Sequence, residues 1–122
     1  MVQSDRWMSV GRAGGAAGFE AGRQAADAAL SRDAAKLLIA FASDALDLPD
    51  TVAGISERAP GTPLIGCSTA GEIATDGPGD SSVVVSAFGG AGFEATTAVA
   101  RDAASGLRAA GGTAAGCLER LS

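Results

Sequence analysis

Cys67, Ser68, Thr69 and Glu72 fall within six consecutive positions of the stretch PLIGCSTAGEIATDGPGD, residues 63–80. A thiol, two hydroxyls and a carboxylate set so close together admit a nucleophile's seat, a phosphate cradle, a ligand-binding loop or a tight turn. Phosphate cradling comes near by spacing, since Gly66 and Gly71 are separated by four residues, as the two glycines of a P-loop are. The next positions should then be Lys and Ser or Thr, but here they are Glu72 and Ile73. A carboxylate in place of the phosphate-neutralising ammonium inverts the electrostatics, which excludes nucleoside triphosphate binding through this loop.

Serine hydrolysis fails on two counts. Ser68 stands two residues after Gly66, but a nucleophile elbow needs Gly where Ala70 stands. The chain also contains no histidine, so a Ser or Cys nucleophile activated by His is excluded within it. Cys67 by itself could be acidified by backbone N–H groups or a helix N-terminus. No cation adjoins it in sequence, and Glu72 would oppose a thiolate. Cys67 therefore reads as a small buried hydrophobe at a strand end ahead of a ligand-lining or catalytic thiol, and the chain as a non-enzyme.

Metal binding has little to work with. Cys67 and Cys117 lie fifty residues apart, so only oxygen ligands remain. Asp44, Asp47 and Asp50 recur every three residues, and Asp76 and Asp80 follow the loop. Neither pattern matches a Ca²⁺ loop, and the aspartates read as caps and solvated charges at a helix start. No metal and no other cofactor is implied.

Small-molecule recognition remains. Backbone N–H groups of a Gly/Ser/Thr loop at a strand's carboxyl end can receive a carboxylate. The Ser68 and Thr69 hydroxyls add donors, and Glu72 can hold an ammonium group. Together these suit a zwitterion such as an amino acid. The competing reading is a structural turn in which Ser68 and Thr69 bond their own backbone and Glu72 points to water.

The elements that must position this loop can be read around it. Residues 36–43, KLLIAFAS, and 63–68, PLIGCS, are apolar runs of strand length, as expected for strands buried on both faces. Between them, residues 44–59 carry acidic residues and Pro49 at a helix start, with Val52, Ile55 and Ala59 on one face. Strand, helix and strand with so long a crossover must make a parallel, right-handed βαβ unit. Ser43–Asp44 and Cys67–Glu72 then leave the same edge of the sheet, where α/β folds place ligands.

Upstream, residues 16–32 form an amphipathic helix with Phe19, Ala26 and Leu30 on one mostly alanine face. Downstream, SSVVVSAF (81–88) and FEATTAVA (93–100) flank GGAG and predict a β-hairpin. Residues 101–121 read as a last helix, with Ala103, Leu107, Ala110, Ala114, Leu118 and Leu121 on one face and a weak point at Gly111–Gly112. The fold class is thus α/β: one domain over residues 1–122, a mixed sheet containing a βαβ unit and a hairpin in the C-terminal half, flanked by Ala-rich helices.

Composition bounds the partners. With 122 residues, of which 47% are hydrophobic, the chain is a single globular domain. Only 4% are aromatic, so the core buries little area per residue. A net charge of −5, with one Lys and eight Arg scattered along the chain, argues against nucleic acid and against a polybasic membrane anchor. No apolar run reaches the ~18–20 residues of a membrane span, and residues 1–15 lack the apolar core of a signal peptide. Reduced cysteines and a cytoplasmic location are the expectation.

Gly66-Cys67-Ser68-Thr69-Ala70-Gly71-Glu72 reproduces without departure the G-C-S-T-x-G-E signature of another group of proteins, and here the sequence resembles the N-terminal module of FIST sensory domains. LLIAFAS (37–43), the Pro60–Gly61 turn, SVVVSAF and FEA fall where that module has them, and the similarity spans roughly residues 20–120. The resemblance implies a bacterial-type signalling domain that senses small ligands, with amino acids among the candidates. It also implies a C-terminal module or an output protein as partner. Members of the family usually have a longer N-terminal module, so a partial domain ending at Ser122 is expected. The implied site comprises Gly66, Cys67, Ser68, Thr69, Ala70, Gly71 and Glu72, with Ser43 and Asp44 beside them. The alternatives are a thiol-dependent enzyme using Cys67 and a non-binding remnant that docks to a neighbouring domain.

Overall fold

The computed structural model of the protein describes residues 5–30, 34–70, 72–74, 77–79 and 81–121. The chain runs through β1 (Trp7–Gly14), α1 (Gly18–Ala29), β2 (Ala35–Ser43), α2 (Leu48–Arg58) and β3 (Leu64–Thr69). It continues through β4 (Glu72–Ala74), β5 (Gly77–Gly79), β6 (Ser82–Gly89) and α3 (Leu107–Ala115). Four strands make one mixed sheet in the order β1-β6-β2-β3, and β4 and β5 make a small antiparallel pair of their own. β2 and β3 run parallel, as their long helical crossover requires, while β6 is antiparallel to both its neighbours. The α/β class and the βαβ unit stand as expected.

One face of the sheet is closed by α1, with α2 packed against α1. α1 presents Gly18, Ala21, Gly22, Ala25, Ala26 and Ala29 to this layer, a three-four repeat of residues with little or no side chain. The contact is therefore backbone against backbone. A Cβ on Gly11 of β1 would stand 2.1 Å from the Ala25 carbonyl oxygen, and one on Gly54 of α2 would stand 2.0 Å from that of Phe19. The core between the layers rests on Leu38, Ile55, Val83 and Val85 set among alanines. The expected α1 face shifts accordingly, because Phe19 is exposed and the smaller residues beside it are buried.

The start of α2 follows its sequence signals. Asp47 is the N-cap, its Oδ1 accepting from the Asp50 amide at 3.0 Å, and Pro49 lies in the first turn where no N–H partner is needed. Arg58 in the last turn reaches Asp27 of α1 at 2.6 Å. Asp47→Ala should lower the urea midpoint by an amount worth about 1 kcal/mol, the usual value of such a cap, with an unchanged m-value.

Two expectations are corrected, and one strand was not anticipated. β1 is a full strand, although residues 7–14 show no clean alternation; it forms because β6 offers it a complete antiparallel register from Trp7↔Gly89 to Gly14↔Ser82. The hairpin of 81–88 with 93–100 does not form, since β6 is already paired on both sides by β1 and β2. Residues 93–100 run without a ladder, held by Lys36 Nζ donating to the Phe93 carbonyl at 2.7 Å and by Arg120 donating to that of Thr97 at 2.6 Å. The last helix is shorter than read: 3₁₀ turns at Ala103–Ser105 and Gly116–Arg120 bracket α3, which runs through Gly111–Gly112 and buries none of its residues.

β3 also departs from the picture of a strand buried on both faces. It is the last strand of the sheet, and residues 65–68 are exposed.

Candidate functional site

Residues Gly66–Thr69 of the signature lie within β3 and pair with Ala40–Ser43 of β2. The β2 terminus and the signature leave the sheet at one edge, because Ser43 is registered with Thr69 and the Asp44 amide donates to the Thr69 carbonyl at 2.9 Å. The corner itself is tied down locally. Ser43 is buried, its Oγ accepting from the Ala45 amide at 3.1 Å, while its carbonyl accepts from Leu46 at 3.1 Å. Ser43 therefore shapes the corner as an ST-turn. Asp44, one residue on, is exposed.

The phase of the β2–β3 ladder decides which main-chain groups a guest can use. Leu38 donates to the Pro63 carbonyl at 2.9 Å at one end, and Asp44 donates to Thr69 at the other. In a parallel ladder alternate residues turn both N–H and C=O toward the same neighbour. Ile65, Cys67 and Thr69 thus face β2, and Gly66 and Ser68 direct their amides and carbonyls to the outer side. Among the described residues, nothing pairs with that side of β3.

Beside this edge lies a groove of about 160 Å³ between α2 and the β2–β3 pair. Its floor is Ala40, Ala42 and Gly66, and its wall on α2 is Leu48, Val52 and Ile55. The floor is low because its residues are small, and at Gly66 it must be: a Cβ there would stand 2.0 Å from the Ala40 carbonyl oxygen. Thr51 also lines the groove, but its hydroxyl donates to the Asp47 carbonyl at 2.8 Å. The hollow is in effect apolar.

Cys67 is exposed, not buried as read from the sequence, because β3 ends the sheet; it also lines the groove. Ser68 and Ala70 are exposed and Thr69 is half-buried. Gly71 lies outside the described residues, as do Asp76 and Asp80, and of Glu72 only its place in β4 is described. The structure thus brings Gly66, Cys67, Ser68, Thr69, Ser43 and Asp44 to one edge. It adds Ala40, Ala42, Leu48, Val52 and Ile55, which have no chemical signature of their own. The signal that could have found them is the parallel register, which sets Ala40 beside Gly66, two positions with almost no side chain.

No helix among the described residues is long and apolar enough to cross a membrane. In comparison with known families, residues 36–121 match the model of the FIST N domain. No curated protein matches the chain.

Proposed function

The chain belongs to the FIST N domain family, a family of signal-transduction sensory domains, and from that premise we propose that it binds a small ligand at the open edge of β3. The ligands that fit this reading are amino acids and small carboxylates. The observation that carries it is the convergence at one edge of the Ser43–Asp44 corner, the signature strand and an open groove, with the Gly66 and Ser68 amides turned outward. Those amides are donors for a carboxylate, and the Ser68 and Thr69 hydroxyls stand on the same strand.

This is a binder's site and not a catalyst's. The chain has no histidine to serve as a base. The signal would pass to a C-terminal module of the same family type or to an output protein, within the cytoplasm.

A thermal-shift screen of the twenty amino acids and a set of short carboxylic acids tests the proposal. A ligand at 100 times its Kd adds about 2.7 kcal/mol to stability. For a domain of 122 residues each kcal/mol is worth about 3–5 °C, so a true ligand should raise Tm by roughly 8 °C or more. A flat response across the whole set overturns the proposal and leaves a domain that only docks to a neighbour.

A further inference from the structure

We infer that the guest at this edge carries a compact branched aliphatic group, and that the groove between α2 and β3 receives it. This rests on the ligand-sensing reading above and narrows it to a class: amino acids or short carboxylic acids with a leucine-like side chain.

The size argument comes first. The groove measures about 160 Å³, and an apolar cavity of about 150 Å³ accommodates a benzene molecule. Four to six carbons therefore fill it. The room exists because Ala40, Ala42 and Gly66 make its floor, and the backbone contact beneath Gly66 keeps that floor low.

Chemistry then selects the guest. Leu48, Val52 and Ile55 supply carbon on the α2 side, and the Thr51 hydroxyl is engaged with the Asp47 carbonyl. A carboxylate, amide or ammonium entering the groove would lose water and meet mostly carbon, with only the Thr51 hydroxyl and the Cys67 residue as polar neighbours. A branched hydrocarbon meets no such penalty and is favoured by the apolar surface it withdraws from water. It would also cover Leu48 and Val52, which are 41% and 42% exposed.

The polar end of the guest has its place too. Gly66 both lines the groove and turns its amide to the open side of β3, with the Ser68 amide two residues on. A molecule with a carboxylate at one end and a branched chain of a few carbons at the other spans the two environments.

Titration calorimetry with L-leucine, L-glutamate and 4-methylpentanoate distinguishes the possibilities. Leucine should bind at least tenfold more tightly than glutamate. The carboxylic acid, which keeps the branched chain and lacks the ammonium, should bind within about tenfold of leucine. Val52→Asp, at a wall position exposed enough to tolerate the change, should weaken leucine at least tenfold while circular dichroism remains unchanged. Ala42→Leu, which fills the floor, should do the same in protein that remains folded. Glutamate binding as tightly as leucine, or leucine affinity indifferent to Val52→Asp, overturns the inference while ligand sensing stands. Failure of every compound here and in the wider screen removes the sensing reading and this inference together.

Discussion

Gly54→Ala is expected to destabilise the domain by about 3 kcal/mol or more, although helix propensity alone makes alanine about 1 kcal/mol better than glycine inside a helix. The two effects have opposite signs, so the direction of the change tells which one governs. A Cβ at this position would lie 2.0 Å from the Phe19 carbonyl oxygen, 2.9 Å from its carbon and 3.0 Å from the Arg23 nitrogen. All three are backbone atoms of α1, and none can rotate away as the tip of a side chain would. α1 cannot retreat as a body either, because Gly11 of β1 holds it against the sheet by a contact of the same kind. Relief requires α2 to lift from α1 and expose Ile55, which is 1% exposed in the native packing. Set against a total stability of ~5–15 kcal/mol for a small domain, the loss is severe. Urea unfolding of the purified variant checks it; a midpoint at or above that of the parent would show that the helices are not in backbone contact.

Leu38→Ala should cost about 3–5 kcal/mol, the upper part of the usual range for such a truncation. Leu38 is 1% exposed and is the largest aliphatic core residue of β2. The penalty of a cavity depends on how far the neighbours can close in. Here the same face of β2 continues as Ala40 and Ala42, and α1 contributes glycine and alanine, so few side chains are long enough to fill the gap. Phe41→Ala in the same strand removes more atoms and should cost less, because Phe41 is 40% exposed. The ranking of the two urea midpoints is the measurement. A smaller loss at Leu38 than at Phe41 would place the core on the other face of the sheet.

The parts of the fold legible in the sequence are those decided by neighbours along the chain. The apolar runs of β2 and β3, and the start of α2 at Asp47 and Pro49, each depend on a few adjacent residues and stand within a residue or so of expectation. β1 was not legible, because Gly11, Arg12 and Gly14 break its alternation and its register with β6 is a contact between distant segments. Residues 93–100 failed for the converse reason. They alternate like a strand, but both sides of β6 are taken, and competition for a strand's edge leaves no local mark.

The same distinction divides the site. Gly66–Glu72 and Ser43–Asp44 announce themselves through donors, acceptors and spacing. Ala40, Ala42, Leu48, Val52 and Ile55 do not, since a residue that lines a hollow has the same composition as one that fills a core. Cys67 was misplaced because its exposure depends on the order of strands, with β3 last, and not on the residues around it.

The outer side of β3 carries one more consequence. Leu64–Thr69 has no lysine, no proline and no charge of either sign to repel another extended chain, and these are the usual means by which proteins keep a bare sheet margin from recruiting strands. Left uncovered at high concentration, such a margin is a template for fibrillar self-association. A guest bound there, as proposed above, would also shield that margin from a second chain.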